Sequence, residues 1–287
     1  MKNKNIKISL FAFILLTGGL YSCAEAPKQE EEAVVEEVIV EETESMDEDY
    51  SFMLPSPIQI AAIFSNAGLE FEANLVNPVE NKSKYNTKTF KFLNFGVYSA
   101  DLAYAVLNDQ QQMSIDYINS VKTLADEIGM PTIFGTGELI KSFEKNIGNQ
   151  DTILNILTTI KRRTDEYLAE NSESSKEAVF FAGAWVEGMY IGANAHTPST
   201  NLTYRITEQM TIVNNIVKGL EFQKDSSFDL EWLIKDLTTL QNTFNGFESV
   251  KAYDADKSSD AVLKLNDTEL ANIKEQITTI RTKLVNG

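Results

Sequence analysis

The spacing of the apolar residues constrains the fold of this 287-residue chain more than any other feature. In the final segment apolar residues recur at alternating intervals of three and four positions, at Leu270, Ile273, Ile277, Ile280 and Leu284. That spacing places them on one face of an α-helix. Asn266, with Glu269 three residues later, has the pattern of a capping box at the start of such a helix. The segment is therefore predicted to be an amphipathic helix.

Similar stripes occur through most of the chain. They run through residues 117–128, 153–167, 206–220 and 230–247, and the first, second and fourth begin or end near Asp, Ser, Gly or Pro residues. Amphipathic helices of this kind bury their apolar faces against one another. The sequence therefore predicts an all-α fold, an antiparallel multi-helix bundle that forms a single domain over residues 51–287.

Two segments, residues 90–107 and 178–196, are apolar on nearly all sides and are predicted to be buried helices. Both contain small residues three or four positions apart: Gly96, Ala100 and Ala103 in the first, and Ala184, Gly188 and Gly192 in the second. Glycine is about 1 kcal/mol less favourable than alanine inside a helix. These glycines indicate either tight helix packing or space for a ligand.

Each of these two segments also carries one carboxylate near aromatic residues. The six candidate ligand-binding residues are Tyr98, Asp101, Tyr104, Trp185, Glu187 and Tyr190. A carboxylate on so apolar a helix must be hydrogen-bonded, paired, protonated or directed into a cavity. One hypothesis is a pocket for a polar ligand between the helices. The alternative is a structural role, in which the carboxylates accept hydrogen bonds from Tyr hydroxyls or cap neighbouring helices.

The N-terminus has the pattern of an export signal. Lys2, Lys4 and Lys7 precede an apolar run over residues 8–16, which is too short to span a bilayer. Residues 20–23, Leu-Tyr-Ser-Cys, resemble the lipobox of bacterial lipoproteins. That resemblance implies a signal peptide over residues 1–22 and lipidation of Cys23, the only cysteine. The alternative is an ordinary secretory signal with a leftover thiol.

The following segment, residues 23–50, is predicted to be an acidic disordered tether. It carries twelve acidic residues and a single lysine, so its charges repel one another and have few partners. The Lys-Gln-Glu-Glu-Glu run at residues 28–32 resembles the signal that sends Bacteroidota lipoproteins to the outer face of the outer membrane. A spacer that faces the periplasm is the alternative.

Two phrases in the buried helices, "FGVYSADLAYA" and "GAWVEGMYIGA", resemble a family of all-helical bacterial lipoproteins of the Bacteroidota type whose function is unknown. The resemblance supplies no catalytic residues. Residues 51–287 contain 30 acidic and 21 basic side chains, which excludes a typical nucleic-acid-binding domain. No cofactor or metal site is predicted.

The sequence thus predicts a lipid-anchored outer-membrane protein that acts as a binding or interaction module. The expected partners are the membrane, through the lipid on Cys23, and either an envelope protein or a small polar ligand. Two alternatives stay open: a hydrolase-type enzyme that uses Asp101 and Glu187, and a structural component of the envelope.

Overall fold

A computed structural model describes residues 54–196, 199–255 and 262–287. The predicted signal peptide, the lipidation site at Cys23 and the predicted tether lie outside the described residues. Among the described helices, none combines the length and the apolar character that a membrane span requires.

Within the described residues the chain forms eleven α-helices, four short 3-10 helices and no strand. The α-helices are α1 (Pro57–Asn66), α2 (Lys88–Leu107), α3 (Gln111–Glu127), α4 (Glu138–Lys145), α5 (Gln150–Glu170), α6 (Glu177–Asn194), α7 (Thr200–Gln209), α8 (Val213–Phe222), α9 (Glu231–Gly246), α10 (Glu248–Ala255) and α11 (Asp267–Asn286). The predicted fold class is confirmed: the chain is a single-domain, all-α antiparallel multi-helix bundle.

Helices α2 and α6 form the centre of the bundle, as their apolar composition predicts. Nearly all of their residues are buried, and the contact between them is the most extensive in the fold. Helices α1 and α3 pack against α2, and α11 packs against α6. The amphipathic helices thus cover the two apolar ones and leave their own polar faces to solvent.

The glycines of α2 and α6 are explained by close packing. A Cβ atom at Gly96 would collide with the carbonyl oxygen of Phe180, and one at Gly183 would collide with that of Leu93. Farther along α6, Gly188 and Gly192 lie against side chains of α1. The backbones of α2 and α6 can approach this closely because glycine has no side chain.

Two predicted helix details can be compared with the structure. The capping box at Asn266 and Glu269 is present at the start of α11, so that prediction is confirmed. The stripe over residues 206–220 is not one continuous helix, because α7 ends at Gln209 and a 3-10 turn, Met210–Ile212, precedes α8. The tighter 3-10 turn interrupts the predicted helix. The apolar residues Met210 and Val213 of the predicted stripe nevertheless remain buried.

Candidate functional site

The two predicted carboxylates face each other across the α2–α6 contact. Asp101 on α2 and Glu187 on α6 are both fully buried, and their carboxyl groups are within hydrogen-bonding reach. Arg281 of α11 forms a bidentate ion pair with Glu187, in which Nε lies 3.0 Å from Oε2 and Nη2 lies 2.9 Å from Oε1. A buried carboxylate needs such a partner because the cost of removing it from water is otherwise large.

Of the two carboxyl groups, that of Asp101 has surroundings that favour its protonated form. Its burial, together with the nearby charge of Glu187, raises the pKa of Asp101 well above its usual value, although Arg281 acts in the opposite direction. Oδ2 of Asp101 accepts the backbone N–H of Asn77 at 3.2 Å. Oδ1 accepts from no N–H or O–H group of the described residues, and a hydrogen bond between the Asp101 and Glu187 carboxyl groups needs a proton on one of them. With Asp101 protonated, Asp101, Glu187 and Arg281 together carry no net charge.

The predicted tyrosines on α2 hold the segment that joins α1 to α2. We call this segment, residues 67–87, the strap. The hydroxyl of Tyr98 donates to the carbonyl oxygen of Pro78 at 2.8 Å. The hydroxyl of Tyr104 donates to the carbonyl oxygen of Glu70 and accepts the N–H of Glu72 at 2.9 Å. The two bonds of Tyr104 satisfy backbone groups that no helix or strand pairs, whereas the bond of Tyr98 adds to one that the Pro78 carbonyl oxygen already accepts from the N–H of Asn81.

Further side chains extend this arrangement. Tyr117 of α3 donates to the carbonyl oxygen of Asn77 at 3.0 Å, and Tyr85 of the strap accepts from the Asn77 side chain at 2.9 Å. Burial raises the pKa of Tyr104 to about 12, so its hydroxyl remains a neutral donor. We refer to Asp101, Glu187, Arg281 and these tyrosines as the buried network.

The other two predicted residues lie in different surroundings. The ring of Tyr190 lies 4.4 Å from the guanidinium carbon of Arg281, which is a cation–π contact. Trp185 is fully buried, and its indole N–H has no hydrogen-bond partner in the described part of the chain. The structure thus brings Asp101, Glu187 and Tyr190 together around Arg281, whereas Tyr98 and Tyr104 hold the strap.

Sequence reasoning did not identify Arg281 or Asn77 as parts of this site. The signal for Arg281 was present, because two buried carboxylates need a cation and the chain contains only four arginines. Arg281 also follows directly after Ile280, a core position of the last helix. Asn77 gave no such signal, since it lies in an irregular segment without periodicity.

The charged groups of the buried network do not line a cavity of useful size. Among the described residues there are four cavities that Asp101, Glu187 and Arg281 do not line. Tyr104 borders one of these, beside Gly188, but its volume is only about 10 Å³. A polar ligand or a hydrolytic water would have to reach carboxylates that are fully buried. The geometry therefore favours the structural alternative for Asp101 and Glu187.

A larger space lies between the C-terminal end of α6, helix α7 and the start of α11. We call it the cleft; its volume is about 530 Å³. Small or apolar residues form much of its surface, including Gly192, Ala193, Ile206, Leu270 and Ala271. Because several of these side chains are short, they leave space between the helices.

Polar side chains complete the cleft. Helix α7 contributes the hydroxyls of Thr200 and Thr203, and the region around the start of α11 contributes Lys264, Asp267 and Lys274. None of these five side chains makes a hydrogen bond or ion pair with another described residue. The cleft therefore offers both hydroxyl groups and charged groups to a bound molecule.

The strap also fixes one wall of the cleft. Ser199, which lines the cleft, donates its hydroxyl to the carbonyl oxygen of Ala67 at 2.8 Å. The carboxylate of Glu72 accepts the backbone N–H of His196 at 2.7 Å and contacts the His196 imidazole. The backbone hydrogen bond from His196 is the main cause of the lowered pKa of Glu72. The connection between α6 and α7 is thus attached to the strap.

No protein-family model, curated protein or solved structure matches this chain. Its function therefore has to be inferred from the buried network and the cleft themselves.

Proposed function

We propose that this protein is a lipid-anchored binding protein of the bacterial envelope, and that its ligand is a small molecule that occupies the cleft. The envelope location and the outer-membrane anchor are supported by the lipobox-like sequence that ends at Cys23. The binding role is supported by one structural observation. A cleft of about 530 Å³ falls within the size range of small-molecule sites.

The composition of the cleft supports the same role. Ligand sites combine apolar walls, which exclude water, with a few polar groups that orient the ligand. Here Ile206 and Leu270 supply apolar surface, while Thr200, Lys264 and Lys274 supply polar groups. The buried network lacks this combination, because its charged groups are already bonded to one another.

Filling the cleft tests this proposal. Ala271→Phe places a ring on the exposed face of α11 inside the cleft. The matched control is Ala169→Phe, the same change at an exposed position of α5 outside the cleft. Binding is measured by saturation-transfer NMR on the full-length chain with a panel of monosaccharides, hydroxy acids, amino acids and nucleosides.

We expect at least one class in this panel to bind the wild-type chain and the Ala169→Phe variant, and to lose its signal with Ala271→Phe. Thermal melting of both variants checks that they remain folded. Equal signals for the wild-type chain and Ala271→Phe would contradict the proposal, as would the absence of any binding compound.

A further inference from the structure

We propose that the cleft binds a hydroxylated carboxylic acid of sugar size, and that Lys264 and Lys274 hold its acid group. This inference rests on the proposed function, because it names the ligand class of the same cleft. Three features of the described residues support it: the balance of charge, the unbonded hydroxyl groups and the apolar surface beneath them.

The charge balance of the cleft is opposite in sign to that of the domain. Two lysines and one aspartate line the cleft, whereas residues 51–287 contain more acidic than basic side chains. Neither Lys264 nor Lys274 is in an ion pair with another described residue, although the charge of Glu72 acts on Lys274 from a longer distance. Other described lysines are paired, for example Lys88 with Asp225 and Lys283 with Asp236. What distinguishes Lys264 and Lys274 from the remaining unpaired lysines is their position in the cleft.

Two ammonium groups that form no ion pair among the described residues favour an anionic ligand. A carboxylate would complete their charge-assisted hydrogen bonds, whereas a cationic ligand would be repelled by both of them. A purely apolar ligand would cover the ammonium groups without giving them a partner, which is unfavourable. The acid group is therefore expected next to Lys264 and Lys274.

The remaining polar groups suit alcohol groups on the same ligand. Thr200 and Thr203 present hydroxyls that can donate or accept, and Asp267 presents a carboxylate that accepts from an alcohol. Ile206 and Leu270 offer apolar surface to the carbon atoms of a ring. Hydroxyl groups, a carboxylate and a compact carbon skeleton occur together in acidic sugars.

The test compares two probes that differ at one carbon, glucuronate and glucose. Their binding to the full-length chain is measured by isothermal titration calorimetry at low salt. We expect glucuronate to bind at least about tenfold more tightly than glucose, because one charge-assisted contact is worth about that factor.

The variants test the two lysines. Lys264→Gln and Lys274→Gln should each weaken glucuronate binding about tenfold and leave glucose binding unchanged. The control is Arg162→Gln on α5, an exposed cation outside the cleft, which should change neither affinity.

The result that overturns this inference is distinct from failure of the proposed function. Equal binding of glucose and glucuronate, or normal glucuronate binding by both lysine variants, rejects the acidic ligand class but leaves a binding cleft. If neither sugar binds while a panel compound that is not a hydroxylated acid binds and is blocked by Ala271→Phe, the inference again fails alone. If no compound distinguishes Ala271→Phe from the wild-type chain, both proposals fail.

Discussion

The buried network and the cleft both contain charged side chains, but the two sets differ in burial and in pairing. In the buried network Glu187 is fully buried and bonded through both oxygens to Arg281. In the cleft Lys264 and Lys274 are exposed and lack ion-pair partners among the described residues. The network is therefore suited to holding the chain together, whereas the cleft leaves its charges available to a ligand.

The buried network and the cleft also lie in different local structures. The network holds an irregular strap to rigid helices through tyrosine hydroxyls and the Asp101 carboxyl group. The cleft lies where α6 gives way to α7, and its wall is attached to that strap through Glu72 and Ser199. A stable strap thus supports the shape of the cleft. Asp101 helps to hold the strap but does not line the cleft.

The largest predicted effect is a loss of stability in Glu187→Gln. The substitution leaves the Arg281 guanidinium, whose side chain is only 13% exposed, without its anionic partner. Breaking a buried ion pair in this way costs roughly 3 to 5 kcal/mol of unfolding free energy. Urea denaturation at neutral pH, followed by circular dichroism, measures this loss.

The matched control is Glu166→Gln, which breaks the exposed pair between Arg162 and Glu166. Its side chains are 60% and 52% exposed, and such pairs contribute less than about 1 kcal/mol. If Glu187→Gln were no more destabilising than Glu166→Gln, the network would not be the stabilising region that the comparison describes.

Much of this network could be predicted from the sequence, and some of it could not. The apolar character of α2 and α6 indicated that Asp101 and Glu187 are buried and need partners. A helix that is apolar on all sides has no exposed face on which a carboxylate could remain in water. The partner itself, Arg281, is 94 residues from Glu187 in the chain. Periodicity fixes which face of a helix is buried, but it does not say which helix packs next to it.

The position of the cleft was not predicted, although Gly192 was among the small residues that indicated either tight packing or space for a ligand. Its surface comes from Gly192 and Ala193 on α6, Ile206 on α7 and Leu270 on α11. Small and apolar residues have the same pattern whether they fill a core or border an empty space. Only the angles between the helices distinguish the two cases, and a hydrophobic pattern does not encode those angles.

A smaller effect, which depends on pH, is predicted for Asp101→Asn. The amide can keep both contacts of the protonated carboxyl group, because its oxygen can accept from the N–H of Asn77 and its NH₂ group can donate to Glu187. Burial raises the pKa of Asp101 in the folded state, so folding favours the protonated form. The stabilising contribution of the wild-type carboxyl is complete below its unfolded pKa and is lost as the pH rises through its folded pKa.

The Asp101→Asn variant lacks this loss because an amide does not ionise in this range. Its unfolding free energy, measured in urea from pH 4 to pH 8, should therefore increase relative to that of the wild-type chain as the pH rises. Asp101→Ala is the comparison variant, since it removes both contacts and should be less stable than Asp101→Asn at every pH. Parallel pH curves for Asp101→Asn and the wild-type chain would show that Asp101 is not the protonated member.

The smallest predicted effect on stability is that of the cleft lysines, and it completes the comparison. Lys264 and Lys274 are exposed and are in no ion pair or hydrogen bond with another described side chain, so Lys264→Gln and Lys274→Gln remove at most the weak attraction between Lys274 and Glu72. Surface changes of this kind usually alter the unfolding free energy by less than about 0.5 kcal/mol. The unfolding free energy of the double variant in urea should therefore be within about 1 kcal/mol of that of the wild-type chain.

A loss of stability as large as that of Glu187→Gln would mean that these lysines act in folding. Any loss of glucuronate binding could then no longer be assigned to the cleft. If stability is unchanged and glucuronate binding falls, the charges of the two regions have separate roles, one in stability and the other in recognition.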